Sequence, residues 1–153
     1  FTTARREASM NLLKIAHVPP ICVTPDATVM DAIEASLPAR VGAVAVVEDE
    51  ALVGIFTERD VMLKVVRKRL DPDATRIRDV MTAPVIRITP TMSPREVLNL
   101  MLDKHIRHLP ISEDGVSVVG MLSIRNILQF LVNDLTEDLH HMQSFIGADS
   151  PGG

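Results

Sequence analysis

The feature that most constrains this chain is that it nearly repeats itself. Pro20-Ile21-Cys22-Val23-Thr24-Pro25 returns as Val85-Ile86-Arg87-Ile88-Thr89-Pro90, placing Thr24 and Thr89 65 positions apart. Self-similarity at a fixed spacing marks a structural unit used twice. Each copy opens as a short apolar strand closed by Thr-Pro. A helix-period stretch follows, with Val29, Ala32, Ile33 and Leu37 apolar in Thr28 to Leu37, and Val97, Leu98, Met101 and Leu102 in Ser93 to His105. Thr28 and Ser93 both stand where a hydroxyl N-cap belongs. Next comes an apolar strand, Ala43 to Val47 or Leu109-Pro110-Ile111, and an acidic turn, Glu48-Asp49-Glu50 or Glu113-Asp114-Gly115. These are hairpin signals. The third strand leads into Gly54-Ile55-Phe56-Thr57-Glu58-Arg59-Asp60-Val61 in one copy and Gly120-Met121-Leu122-Ser123-Ile124-Arg125-Asn126-Ile127 in the other. Gly54 and Gly120 are 66 apart, so the second turn carries one extra residue. Closing helices are predicted from about Glu58 to Arg69 and from about Ile124 onward, with the polar run Leu70 to Thr75 between the halves.

Each half therefore reads strand, helix, strand, strand, helix, and the fold class is α+β. Three short strands with two helices cannot cover all their own apolar surface. The halves are expected to pack together about a pseudo-two-fold axis, leaving two related clefts between them, where ligands commonly bind. The expected organisation is an N-terminal helical segment over 1–17 (Arg5 to Ala16, with Leu12, Leu13 and Ile15 apolar), a first repeat over 18–70, a connector over 71–81, a second repeat over 82–133, and a C-terminal helix and tail over 134–153.

Composition narrows the function classes. A length of 153 residues with 46% hydrophobic content supplies a core. A formal net charge of -4 gives no overall attraction for nucleic acid or anionic membrane. No apolar run reaches the ~18 residues of a spanning helix, and Phe1 to Arg6 lacks a signal-peptide layout, so a cytoplasmic location is expected. A chain that starts at Phe1 rather than Met is expected to continue upstream. Cys22, the single cysteine, lies in an apolar run and reads as a small buried hydrophobe.

No catalytic machinery is legible. His17, His105, His108, His140 and His141 form no metal-ligand spacing, no Ser-His-Asp or Cys-His arrangement stands out, and the 7 glycines build no phosphate loop. The expectation is a non-enzyme with neither a metal nor a catalytic cofactor. Met62, Met101 and Met121 fall in apolar positions and read as flexible core fillers.

The chemistry concentrates instead at Thr57 and Asp60. A strand ending in Thr57 and passing into a helix offers a hydroxyl and free backbone N–H groups to an anion. Asp60 adds an acceptor-only carboxylate suited to the two hydroxyls of a ribose. The same Thr-x-x-Asp pattern is also a capping box, in which both residues do no more than satisfy the helix end.

Gly-apolar-apolar-Ser/Thr-x-x-Asp after a strand, met in full at Gly54 to Asp60 and in near-copy at Gly120 to Asn126, resembles the CBS (cystathionine beta-synthase) domain signature. Arg107-His108-Leu109-Pro110-Ile111 resembles the same family's middle strand, and the likeness extends over roughly Val18 to Val132. The resemblance implies two β-α-β-β-α CBS repeats and a regulatory module binding an adenosine-containing ligand. AMP is the first expectation, with ADP, ATP, NAD or S-adenosylmethionine as alternatives. It further implies that Arg107 and His108 face the cleft of Thr57 and Asp60, and that Thr82 and Val85 line the adenosine pocket by hydroxyl and backbone contacts. Arg107 and His108 also fit a solvated edge beside the acidic turns.

A second cleft would use Gly42, Ala43, Ser123 and Asn126, where Asn126 replaces the aspartate and Gly42 and Ala43 bring no charge. One competent site and one degenerate site are expected. Leu128, Leu131, Val132, Leu135, Leu139 and Met142 continue at helical spacing past the second repeat, an apolar stripe expected to meet a partner as a homodimer. Two rival readings remain: a dimerisation module without ligand, and the regulatory part of a larger enzyme or transporter.

Overall fold

An unbroken apolar run, Ala43 to Val47, buried on both faces through Val46, makes the central strand of a three-stranded sheet, β1 (Cys22–Val23), β2 (Ala43–Glu48) and β3 (Ala51–Thr57), in the order β1-β2-β3. The computed structural model describes residues 10–148. β1 runs parallel to β2, with Cys22 beside Ala45, and β3 runs antiparallel to β2. Asp49 and Glu50 turn the hairpin with φ of 51° and 66°, the left-handed pair that a two-residue connection matching strand twist requires. Helix α1 (Val29–Ser36) starts on a full capping box: Asp31 N–H donates to Thr28 Oγ1 at 3.1 Å and Thr28 N–H donates to Asp31 Oδ2 at 3.0 Å. Helix α2 (Glu58–Asp60) runs directly into a π-helical stretch, Val61–Val66, and a short α3 (Ile77–Val80) ends the connector. The second half supplies α4 (Pro94–Lys104), β4 (His108–Ile111), β5 (Gly120–Ser123) and a long α5 (Ile124–Ala148).

The halves differ where the strand predicted over Val85 to Pro90 should lie. Only Ile88 pairs there, with Ile111, donating its N–H to Pro110 O at 3.0 Å and accepting from Ser112 N–H at 2.9 Å. In the first half Ala45 N–H donates to Ile21 O at 2.8 Å. The position equivalent to Ala45 is Pro110, which has no N–H, so that rung is lost and the strand shrinks to a single bridge.

Three apolar clusters hold the molecule. Val29, Val44, Val46, Phe56 and Val65 fill the first half; Ile88, Val97, Met101, Leu109 and Leu122 fill the second; Ala43, Ala45, Leu52, Ile55 and Met121 join the two. The segment ahead of each repeat is exchanged. Ile77 and Val80, just before the second repeat, plug the first core, while Leu12, just before the first repeat, is fully buried in the second. The backbone follows the same rule: Thr82 and Ile55 exchange N–H···O bonds of 2.8 and 3.0 Å, and His17 and Met121 exchange bonds of 2.9 and 3.1 Å. These crossings explain the glycines of the repeated motif. A Cβ on Gly54 would come within 2.5 Å of Met81 Sδ, and one on Gly120 within 3.0 Å of Leu13 Cδ2.

Several expectations are corrected. The N-terminal helix is, over the described residues, one 3₁₀ turn, Leu12–Lys14, because the chain must be extended by His17 to join β5; Arg5 to Ser9 lie outside the described residues. Cys22 is exposed: alternation along β1 turns Ile21 and Val23 into the core and Cys22 away from it. Met62 is 59% exposed, although Met101 and Met121 are core residues as expected. Leu131 packs on the second core and so leaves the exposed stripe of α5.

Candidate functional site

β3 delivers Thr57 in extended conformation to the start of α2, where its hydroxyl accepts from Asp60 N–H at 3.3 Å. Asp60 Oδ2 in turn accepts from Thr57 N–H at 3.0 Å and from the Thr57 hydroxyl at 3.3 Å. The capping reading of this pair is therefore correct as geometry. It does not exhaust the carboxylate, whose Oδ1 is aimed outward at Thr82 and Lys64. The Thr82 hydroxyl donates to Oδ1 at 3.0 Å, and Lys64 Nζ lies 3.0 Å from the same atom. Lys64 also donates to Thr82 Oγ1 at 3.1 Å and to Met81 O at 3.4 Å, tying the exchanged connector to α2. Asp60 itself is only 6% exposed.

The second repeat closes the other wall. His108 at the start of β4 and Arg107 just before it, with Val85 from the segment that leads into the second repeat, face Thr57, Asp60 and Thr82 across a cleft of about 590 Å³. All six residues named from the sequence for the first cleft line this one space, and they come from both repeats. Arg59 bridges the walls by donating to His105 O at 3.3 Å, the carbonyl at the left-handed end of α4. Arg59, Lys64, Lys104 and Arg107 are set against Glu58 and Asp60, so the cleft is cationic in a chain whose net charge is -4. Burial, and next to it the Arg107 guanidinium, push the His108 imidazole below its ordinary value of 6.5, with Glu58 opposing. This favours the neutral imidazole, in which one ring nitrogen is a donor and the other an acceptor.

The residues named for a second cleft are placed differently. A Cβ on Gly42 would sit 3.2 Å from Glu58 Cδ and from His108 Cε1, so Gly42 adjoins the first cleft. Ala43 is buried and paired with Thr57; with Gly42 it lines an apolar hollow of about 460 Å³ between α1 and α2. Ser123 and Asn126 form the capping box of α5: Ser123 N–H and hydroxyl donate to Asn126 Oδ1 at 3.0 and 2.8 Å, and Asn126 N–H donates back to Ser123 Oγ at 3.2 Å. Sequence reasoning missed Lys64 and Glu58. Lys64 was accessible, four residues after Asp60 on a helix; Glu58 carries no signal, because only the meeting of the repeats sets it beside His108.

The arrangement offers a carboxylate for hydroxyl groups at one end, guanidinium and ammonium groups for an anion at the other, and apolar walls from Ile55, Val85 and Ile86 between. Among the described residues no helix is long and apolar enough to cross a membrane.

The CBS domain family matches residues 14–67 and 77–133. A mitochondrial CBS domain-containing protein of Arabidopsis thaliana is 35% identical over 130 residues, covering 82% of this chain and 62% of that protein. The chain spans 55 to 62% of the length of the first curated relatives it matches. A solved CBS-domain protein of Burkholderia ambifaria superposes with TM-score 0.72 at 31% identity, covering 88% of this chain and 96% of that one. A CBS domain pair solved in complex with 5′-methylthioadenosine and S-adenosyl-L-methionine shares the fold, with TM-score 0.72 at 22% identity over 81% of this chain and 97% of that one. The exchanged repeats, the twice-used glycine motif and these matches agree: the chain belongs to the CBS domain family and is a tandem pair of CBS domains.

Proposed function

We propose that this chain is a regulatory sensor whose first cleft binds an adenosine nucleotide, AMP in the first instance and ATP or NAD as alternatives. The observation that carries the reading is the cationic cleft of about 590 Å³ built jointly by Thr57, Asp60, Thr82, Val85, Arg107 and His108. Ribose hydroxyls would donate to Asp60, and phosphate would meet Arg107 and His108 at the opposite end of the cleft. Occupancy would favour whichever relative placement of the repeats best closes the cleft, and a ligand shifts such an equilibrium only by its differential affinity. A second site at Ser123 and Asn126, with asparagine in place of aspartate, would bind more weakly. That the same fold holds adenosine ligands in a solved pair supports the choice of ligand class.

A homodimer is part of the same reading. Leu37 and Leu102, Met62 and Leu128, and Val66 and Val132 occupy equivalent positions in the two repeats and are all exposed, so both repeats contribute to an apolar face that an isologous contact with a second copy would cover.

Thermal unfolding with AMP, ADP, ATP, NAD and S-adenosylmethionine tests the ligand. At 100 times its Kd a ligand adds about 2.7 kcal/mol, a rise of roughly 5 to 10 °C for a domain of this size. No rise with any of the five would dispose of the nucleotide reading.

The state of His108 gives a second expectation. Its pKa is lowered in the fold, so the unfolded chain takes up the proton first as pH falls through 6.5, and stability drops with pH in that window. A phosphate beside the imidazole favours the protonated form, so nucleotide affinity should rise between pH 8 and pH 6.5. Calorimetric titrations at both pH values should show this rise in the native chain and a smaller one in His108→Ala; equal pH dependence in the two would remove His108 from the phosphate end.

A further inference from the structure

From Leu139 to Ile146 every side chain of α5 is exposed. An isolated short helix is marginal in water, and this stretch is rich in weak helix formers: His140, His141, Ser144 and Phe145. Leu128, Val132, Leu135, Leu139, Met142 and Ile146 succeed one another at spacings of four and three residues, an unbroken heptad seam, and all six are 44 to 66% exposed. Another helix of the same 3.5-residue period fills such a seam with knobs in holes. The seam is distinct from the face that α5 turns to its own module, where Ile127 is fully buried and Leu131 packs on the second core.

We infer that α5 zips with α5 of a second copy of this chain as a parallel two-stranded coiled coil over Leu128 to Ile146. This rests on the homodimer proposed above and specifies its geometry. Val132 and Ile146 at a positions, with leucine prominent at d, favour two parallel strands. In the parallel arrangement Asp138 meets Gln143 of the other copy; an antiparallel one centred on the seam would set Asp138 against its own symmetry mate, a like-charge pair. Six side chains of this exposure bury roughly 600 Å² per copy, or about 1,200 Å² in all, the lower bound of a standard specific interface. The contact would place the two second repeats side by side at a fixed distance, and with them the Arg107 and His108 walls.

The test is disulfide trapping in the full chain carrying Cys22→Ser, which removes the exposed native thiol. Met142→Cys at a d position faces its counterpart within disulfide range in the parallel coil, whereas Glu137→Cys points outward. Rapid cross-linking of Met142→Cys, slow cross-linking of Glu137→Cys, and loss of the Met142→Cys product on adding Leu135→Asp and Leu139→Asp are the expected results. Light scattering run alongside separates the claims. A monomer overturns both the zipper and the homodimer; a dimer in which Met142→Cys does not cross-link overturns the zipper alone. Cross-linking between Val132→Cys and Met142→Cys, without the Met142→Cys homodisulfide, overturns the parallel direction.

Discussion

Leu12→Ala is expected to remove about 3 kcal/mol or more of stability, the cost of a cavity in a well-packed core. The size of the effect is not what position suggests, since Leu12 precedes both repeats in sequence and sits in a single 3₁₀ turn. Its side chain is nevertheless fully buried against Ile88, Val97, Met101 and Leu122 of the second repeat. The turn is fixed from both sides, by Leu12 N–H donating to Pro90 O at 2.9 Å and by the His17 bridge to Met121. Urea denaturation of Leu12→Ala beside Lys14→Ala, an exposed neighbour on the same turn, makes the comparison internal. A loss under about 1 kcal/mol for Leu12→Ala would mean that the second repeat closes without its exchanged segment. The variant also bears on the site: β4, which carries His108, rests on the core that Leu12 completes. Nucleotide affinity should fall with stability in Leu12→Ala, though no atom of Leu12 lines the cleft.

Asp60→Asn is expected to weaken nucleotide binding by about 10- to 100-fold and to lower stability by about 1.5 to 3 kcal/mol, because it removes the carboxylate that Lys64 and Thr82 share while leaving the helix cap in place. The second repeat contains the control within the same molecule. Asn126 accepts Ser123 N–H at 3.0 Å through Oδ1, the length at which Asp60 Oδ2 accepts Thr57 N–H, so asparagine sustains this capping box. What asparagine cannot keep is the second oxygen as an anionic acceptor, the one now shared by Thr82 and Lys64. Hydrogen bonds to a charged group contribute about 1.5 to 3 kcal/mol, and 1.4 kcal/mol is tenfold in affinity. Isothermal titration reads the affinity, and the melting temperature without ligand reads the cap together with the Lys64 and Thr82 contacts. Asn126→Ala should matter less for binding; a larger loss there than at Asp60 would reverse the assignment of the clefts. An Asp60→Asn protein that binds as tightly as the native chain would return the Thr-x-x-Asp motif to a purely structural role.

Much of the architecture was legible because it is written twice. Helix starts at Thr28 and Ser93, the acidic hairpin turn and the helix after Thr57 all follow from local rules of capping, turn chemistry and apolar period, and each prediction in one repeat was checked by its counterpart in the other. Those rules fail where a residue's environment is set by a distant segment. Met62 and Val65 are near neighbours on one helical stretch, yet Met62 is exposed and Val65 buried, because the position of the sheet beneath that stretch decides which face is covered. Cys22 was misread for a similar reason: an apolar run of three says nothing of which face a two-residue strand turns to the core. The shortened strand at Ile88 had a local cause in Pro110, visible in sequence only once the pairing partner is known.

The sequence by itself determined the repeated unit, its α+β class and the Thr57 and Asp60 motif of the first cleft, since motif, spacing and periodicity are properties of neighbours along the chain; Thr82, Val85, Arg107 and His108 entered through the resemblance to the CBS domain signature. Tertiary structure decided that the segments ahead of the repeats change places, that Lys64 and Thr82 share the carboxylate of Asp60, that Gly42 adjoins His108, and that the side chains at the end of α5 are exposed. Each depends on contacts between residues far apart in sequence, formed when two incomplete apolar faces close on one another, and no local pattern encodes a distance across that interface.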